Sequence, residues 1–178
     1  MKKYILIFIV FSIIQSCSVW KNELTKNGDY EIAIKNAVID FCNTSSLANK
    51  DKAFSVSYKE YKSGVIGVSI LGDINKIYLV NDSFQGRIKD RYIEYNNHLF
   101  YWYDEKKGKD PNIINKLSEY NIIEKVDSLT EDTGYTIDDA KKATHYYFCR
   151  DNLLLYKKEA SSVAMPKEVK KELHCSDK

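Results

Sequence analysis

Residues 54–71 read FSVSYKEYKSGVIGVSIL, and this stretch predicts two antiparallel strands joined by a turn. In its first half an apolar or aromatic residue occupies every second position, which is typical of a strand with one face in contact with solvent. Lys62-Ser63-Gly64 then interrupts the pattern as a turn does. Alternation resumes in residues 65–71, whose inner row is Ile66, Val68 and Ile70. Because short turns join the two segments, we expect them to pair antiparallel.

A helix is predicted on the amino-terminal side of these strands. Between residues 30 and 41 apolar side chains recur at the three- and four-residue spacing of one buried stripe, and Asp29 is a suitable cap. The stripe consists of Tyr30, Ala33, Ile34, Ala37, Val38 and Phe41. A single apolar stripe indicates that this helix lies across one face of the sheet.

More strands and a second, shorter helix are predicted on the carboxyl-terminal side. Pro111 starts the helix at residues 113–120, which Ile123 and Val126 extend. The strands are residues 77–80, a hairpin of 91–95 and 98–103 around Asn96-Asn97, and a hairpin of 144–150 and 153–158. Residues 130–139 are expected to form a loop, and 166–173 a last helical turn or two.

The order of elements predicts an α+β fold. We expect a curved antiparallel sheet of about five to seven strands, with the N-terminal helix packed on one face. The second short helix precedes the C-terminal hairpin.

The first seventeen residues predict export and anchoring. Lys2 and Lys3 precede an apolar run at residues 4–14, which is too short for a membrane-spanning helix of about 20 residues. The following Ile14-Gln15-Ser16-Cys17 resembles the lipobox of bacterial lipoproteins, which implies that Cys17 is diacylated and becomes the first residue of the mature chain. The alternative is an ordinary secretory peptide cut elsewhere. Two acyl chains make a lasting membrane anchor.

The lipobox resemblance also implies a division of the chain and an address. Residues 1–16 are the lipoprotein signal peptide, 17–28 are the lipidated cysteine and a tether, and 29–178 are a single α+β domain. Some lipoproteins carry an acidic run after the cysteine that marks them for the cell surface, whereas residues 18–23 contain a lysine and no such run. We therefore expect a periplasm-facing protein of the bacterial cell envelope, with the cell surface as the alternative.

The charge balance argues against nucleic acid as a partner. The 25 acidic residues of the chain are matched by as many basic ones once Lys2 and Lys3 are removed with the signal peptide. Nucleic-acid binding needs clustered positive charge that replaces counterions on phosphates. The mature domain has no excess of that kind.

Three cysteines remain after Cys17, and an exported protein meets oxidising conditions. Cys175 lies in a polar tail, where it would be exposed if unpaired, so the favoured disulfide is Cys149 with Cys175. Cys42 lies on the apolar face of the first helix, where a reduced thiol packs well. Cys42 with Cys149 is the alternative.

The sequence contains no catalytic, cofactor or metal motif. His98, His145 and His174 lack second ligands at metal spacing. The adjacent acids Asp104-Glu105 and Asp138-Asp139 are interpreted as solvated loop charge, because neighbouring loop residues usually point apart.

Tyrosine-rich hairpins are the strongest indication of a binding surface. Alternation places His98, Phe100 and Trp102 on one face of a strand and Tyr101 and Tyr103 on the other. An exposed row of tyrosines is typical of interfaces, and the candidate contact residues are Tyr92, Tyr101, Tyr103 and Tyr146. The alternative is that these tyrosines pack beneath the helices.

These observations favour a membrane-anchored, non-enzymatic binding or accessory protein without a cofactor. Its partners would be the membrane, through lipid at Cys17, and another envelope protein or a glycan. One alternative is an envelope polymer hydrolase that uses His98 or His145, and another is a passive structural protein of the envelope.

Overall fold

The computed structural model describes residues 23–72, 76–84, 87–127, 143–161 and 175. Within them the chain forms two α-helices, α1 (Tyr30–Thr44) and α2 (Ile113–Glu119), with a short 3₁₀ turn at Ser46–Asn49. The strands are β1 (Ala53–Glu60), β2 (Val65–Leu71), β3 (Ile77–Val80), β4 (Ser83–Phe84), β5 (Arg91–Tyr95), β6 (His98–Trp102), β7 (Ile123–Val126), β8 (Ala143–Cys149) and β9 (Asn152–Ser161).

The strands build two sheets, and the α+β fold class is confirmed. Six strands pair in the order β5-β6-β1-β2-β8-β9, and three pair in the order β4-β3-β7. The larger sheet is mixed rather than antiparallel throughout, because β1 and β6 run parallel from Ala53↔Leu99 to Ser55↔Tyr101. Between the parallel neighbours β1 and β6 the chain forms β2 to β5, so residues 61–97 separate the two strands. A long crossover of this kind is what a parallel neighbour requires.

Helix α1 lies against the larger sheet, as its apolar stripe predicts. Asp29 caps the helix by accepting hydrogen bonds from the backbone N–H groups of Glu31 and Ile32. The buried stripe contacts the sheet through aromatic side chains, and the Phe41 ring meets the Phe54 ring edge-on at 4.9 Å. The largest core cluster of the described residues therefore lies between α1 and the sheet.

The Asn96-Asn97 turn is confirmed in detail. Both asparagines have positive φ, 49° and 61°, which two-residue hairpin turns require and which asparagine tolerates better than most residues.

Helix α2 is shorter than its apolar pattern indicates. It ends at Glu119, and Asn121 with φ 56° turns the chain out of the helix. Ile123 and Val126 do not extend α2. They begin and end β7, which pairs parallel with β3. The prediction was wrong because a spacing of three residues fits both a helix face and a four-residue strand with a partly buried residue at each end.

Strand β6 is buried on both faces. Phe100 and Trp102 belong to the core beneath α1, while Leu99 and Tyr101 form a second cluster with Leu117 of α2 and its neighbours. The face expected to meet solvent is thus covered by α2.

The packed part of the chain begins earlier than the predicted boundary at residue 29. Leu24 packs against the main core, and the Thr25 N–H donates to Asn36 Oδ1 at 3.0 Å. The predicted tether of residues 17–28 is therefore fixed to the domain from Leu24 onward. The loop predicted at 130–139, with Asp138-Asp139, and the helical turns at 166–173, lie outside the described residues.

Candidate functional site

The structure separates the four candidate contact tyrosines. Tyr101 and Tyr146 are 1% and 0% exposed, so the prediction that they form a contact surface was wrong. Tyr101 lies beneath α2, and Tyr146 lies beneath α1, where its hydroxyl donates to Asp40 Oδ2 at 2.9 Å. Tyr92 is half-buried at the second cluster. Tyr103 is 38% exposed, and Arg87 and Lys89 lie over its ring.

Tyr103 lines a groove that opens where β1 and β6 separate. The parallel ladder ends at Ser55↔Tyr101, but β1 continues to Glu60 with β2 as its partner. The resulting cavity has a volume of about 460 Å3. Residues 56–60 form one side, and Lys89, Tyr103, Glu105 and Lys106 form the other. We call this cavity the β1 groove.

Every second residue of β1 points its backbone N–H and carbonyl groups toward the groove. The Tyr61 N–H donates to the Val65 carbonyl at 2.8 Å, and bonded residues alternate along an antiparallel strand. Odd-numbered residues of β1 therefore bond to β2, whereas the peptide groups of Tyr58 and Glu60 point the other way. In the described part of the chain no backbone hydrogen bond joins these residues to the loop at 103–107. This section of β1 is thus an open edge inside a sheet.

An aromatic pair supports the groove beside this edge. The Tyr58 ring stacks on the Tyr30 ring, with centroids 4.4 Å apart. Lys106 Nζ lies 4.8 Å from the centre of the Tyr30 ring. The Tyr30 hydroxyl donates to Asp104 Oδ2 at 3.0 Å. Burial, together with this carboxylate, raises the pKa of Tyr30, so the hydroxyl keeps its proton.

Asp104 fixes the loop that forms the opposite wall. This buried carboxylate accepts hydrogen bonds from the backbone N–H groups of Lys106 at 3.0 Å and Lys107 at 3.1 Å. Its own N–H donates to Asp90 Oδ2 at 2.9 Å. Burial would raise the pKa of Asp104, but the N–H groups of Lys107 and Lys106 outweigh it and hold the pKa below the ordinary value. Asp104 is therefore an ionised structural group, contrary to its interpretation as solvated loop charge.

Lys89 gives the groove a cation that forms no ion pair with a described carboxylate. Its Nζ lies 3.8 Å from the centre of the Tyr103 ring. Among the described residues no carboxylate lies within 4.0 Å of it. Burial, and then the nearby Arg87, lower the pKa of Lys89 to about 8. An anionic group that enters the groove would offset both the desolvation of the Lys89 ammonium group and its repulsion by Arg87.

The acids of the groove are committed to ion pairs. Glu60 Oε1 lies 3.0 Å from Lys106 Nζ, and Glu60 Oε2 lies 3.2 Å from a guanidinium nitrogen of Arg150. The Glu105 side chain is 85% exposed. Glu105 Oε1 lies 3.7 Å from a guanidinium nitrogen of Arg87.

The two described histidines, His98 and His145, lie outside the groove, and His174 lies outside the described residues. His98 Nε2 is 2.7 Å from the carbonyl of Ala48, and His145 Nδ1 is 2.7 Å from the Ser69 hydroxyl in a buried pair. The described lining of the groove contains no histidine. The groove presents peptide groups of β1, the aromatic rings of Tyr58 and Tyr103, and charged lysine and glutamate side chains. In the described residues no three His, Cys, Asp or Glu side chains gather as a metal site would need.

The structure joins Cys149 and Cys175 by a disulfide, with Cα atoms 5.4 Å apart. Cys175 packs near Val65 and Tyr147. Cys42 is a half-buried free thiol, and burial raises its pKa to about 11. A thiol of this kind is unreactive at neutral pH.

Sequence reasoning found one residue of the groove, Tyr103. It missed Lys89, Tyr58 and Glu60, because a lysine between strands carries no pattern of its own. The parallel pairing of β1 with β6 is what brings these residues together.

Compared with known protein families, curated proteins and solved structures, the chain shows no match. Within the described residues, no helix is both long enough and apolar enough to cross a membrane.

Proposed function

We propose that this chain is a membrane-anchored lipoprotein of the bacterial cell envelope that acts as a non-enzymatic binding protein. The lipobox-like Ile14-Gln15-Ser16-Cys17 supports the anchor, with lipid on Cys17. The residues at 18–23 favour the periplasm-facing side. The partner is an extended segment of another envelope protein, and the binding site is the β1 groove.

The open edge of β1 carries this proposal. An extended peptide adds to an exposed strand through main-chain hydrogen bonds, and pockets for alternate side chains provide specificity. Tyr58 and Glu60 offer peptide groups, and Tyr103 offers an aromatic wall. Lys89 selects a segment with an aspartate or glutamate, because its ammonium group has no acidic partner among the described residues.

The other functions have weaker support. A hydrolase needs a positioned acid–base pair, and Glu60 is held by Lys106 and Arg150. A passive structural protein needs no open strand edge, which natural sheets usually cover or block. A glycan would stack on Tyr103 without using the edge of β1.

The test is a crosslinking pull-down from native membranes with the lipidated protein, and partners are identified by mass spectrometry. We expect one partner in near-equal amount. The Lys89→Glu variant should reduce its capture about tenfold or more, because the variant places a like charge against the acidic segment. The matched control is Lys125→Glu, at an exposed lysine outside the groove, which should capture normally.

The same measurements show which results would contradict the proposed binding site or the proposed class of partner. Equal capture by Lys89→Glu and the parent protein, with matching thermal unfolding, would show that the partner binds elsewhere. Capture of polysaccharide fragments in place of a protein would assign the groove to a glycan.

A further inference from the structure

The ladder between β8 and β9 is interrupted by three extra residues. Tyr156 lies opposite Phe148, and Asn152 lies opposite Cys149. One step along β8 therefore corresponds to four along β9, so residues 153–155 have no ladder partner. We call these residues the leucine bulge. A bulge of this kind re-aims the side chains that it carries.

The bulge turns one leucine inward and two outward. Leu153 is fully buried in the main core, whereas Leu154 and Leu155 are 45% and 48% exposed. Tyr103 is the one other large hydrophobic side chain that is exposed in the described residues. Two adjacent exposed leucines on an edge strand are a feature that soluble surfaces usually avoid.

The chain segment just before α1 is hydrogen-bonded to this bulge. The Leu153 N–H donates to the carbonyl of Lys26 at 2.7 Å. Asn36 Nδ2 donates to the carbonyls of Leu153, at 3.3 Å, and Thr25, at 2.8 Å. The chain therefore joins the domain beside the two exposed leucines.

The length of the intervening chain keeps this part of the domain near the membrane. A fully extended chain spans at most about 3.5 Å per residue, so Thr25 lies within roughly 28 Å of Cys17. Any less extended path brings Thr25 closer. Lys26, whose carbonyl accepts the Leu153 N–H, has an exposed side chain that suits anionic lipid headgroups.

We infer that the leucine bulge is the membrane-contacting face of the domain, with Leu154 and Leu155 inserted into the interfacial region of the bilayer that holds Cys17. This inference rests on the lipid anchor of the proposed function. Two leucines add little to the affinity of a diacylated protein, but they orient the domain. Partial insertion to a depth of about 5–10 Å is typical of apolar groups at such an interface.

The test is photolabelling of the lipidated full-length mature protein in phosphatidylethanolamine–phosphatidylglycerol vesicles that contain a diazirine phospholipid. Trypsin releases residues 151–157, which carry both leucines, as one peptide. The internal control is the peptide of residues 117–125, which contains Tyr120. The Tyr120 hydroxyl donates to Glu94 on β5, at the opposite edge of the sheet from β9.

We expect the 151–157 peptide to carry at least about tenfold more lipid adduct than the 117–125 peptide, because only the former reaches the interface. The variant Leu154→Ser/Leu155→Ser should lose most of this labelling and retain its lipid at Cys17. Equal labelling of the two peptides in protein whose Cys17 carries lipid overturns the inference and leaves the anchor intact. An N-terminal peptide without lipid mass, with no labelling anywhere, rejects the anchor itself.

Discussion

The hydrogen-bond ladder of the larger sheet is interrupted at two places, which differ in whether another segment of the chain bonds to the free peptide groups. At the leucine bulge the ladder between β8 and β9 breaks, but the Lys26 carbonyl and the Asn36 side chain bond to the N–H and the carbonyl of Leu153. At the β1 groove the ladder between β1 and β6 ends early, and no described backbone segment takes its place. The chain thus closes one gap with its own amino-terminal segment, whereas the described residues leave the other gap open, which is where we propose that a second molecule binds.

The two gaps lie at the same end of the sheet. Glu60, Ile66, Phe148 and Tyr156 are register partners in one row that crosses from β1 to β9. Three strand spacings of about 4.8 Å separate the groove from the bulge along this row, which is roughly 14 Å. If the bulge contacts the membrane, the groove opens close to the membrane surface, where the partner's segment would have to be.

Substitutions around the leucine bulge should lower the free energy of unfolding. The largest loss is expected at the disulfide between Cys149 and Cys175, which flanks the bulge. Replacing both Cys149 and Cys175 by serine should lower the free energy of unfolding by about 3 kcal/mol, because the 26-residue separation is no longer crosslinked in the unfolded chain. Urea denaturation of the exported protein measures this loss.

The control for the disulfide is Cys42→Ala, which removes the free thiol and should cost only about 1 kcal/mol or less. Mass mapping without reduction checks the pairing itself. Separate free thiols at Cys149 and Cys175, or a bridge between Cys42 and Cys149, would contradict it.

The next largest effect is expected at Asn36, which closes the bulge by side-chain hydrogen bonds. Asn36 is buried, and its amide serves Thr25 and Leu153. The variant Asn36→Ala leaves these buried groups unpaired and should destabilise the domain by about 2–3 kcal/mol. Asn112→Ala is the matched control, because exposed Asn112 makes no capping bond with its side chain. Hydrogen exchange should also rise at Leu153 in Asn36→Ala alone.

An Asn36→Ala protein with unchanged stability and unchanged exchange at Leu153 would remove the contrast between the two gaps. The amino-terminal segment would then lie beside the bulge without closing it.

How far the sequence predicts this molecule depends on the range of the contacts. The Asp29 cap, the stripe of α1 and the Asn96-Asn97 turn are set by neighbours a few residues apart, and periodicity and turn chemistry recover them. The pairing of β1 with β6 joins segments more than forty residues apart. No local pattern reports that pairing, so the predicted contact row placed Tyr101 on a face that α2 covers. The groove was unpredictable for the same reason, although one of its residues, Tyr103, was among the candidate contact tyrosines.

The smallest effect on stability is expected in the open gap. Burial and Arg87 lower the pKa of Lys89 to about 8, so the folded protein gives up this proton more readily than the unfolded chain, whose lysines titrate near 10.4. The stability that Lys89 contributes therefore rises with pH between these values. Lys89→Met should leave the free energy of unfolding at pH 7 equal to or above that of the parent, because the substitution removes a partly buried charge that opposes folding.

The titration of Lys89 also tests whether the β1 groove is a binding site. Competitive acylation followed by mass spectrometry should show Lys89 half-reactive near pH 8 in the folded protein, and near the ordinary lysine value of about 10.4 in urea. Partner capture should weaken between pH 7 and pH 9, because the ammonium charge that meets the acidic segment is lost over that range. If Lys89 titrates like an ordinary lysine in the folded protein, its ammonium group is already well solvated. An acidic segment would then gain little from displacing that water, and the open edge of β1 would have to select its partner by main-chain bonding and Tyr103 alone.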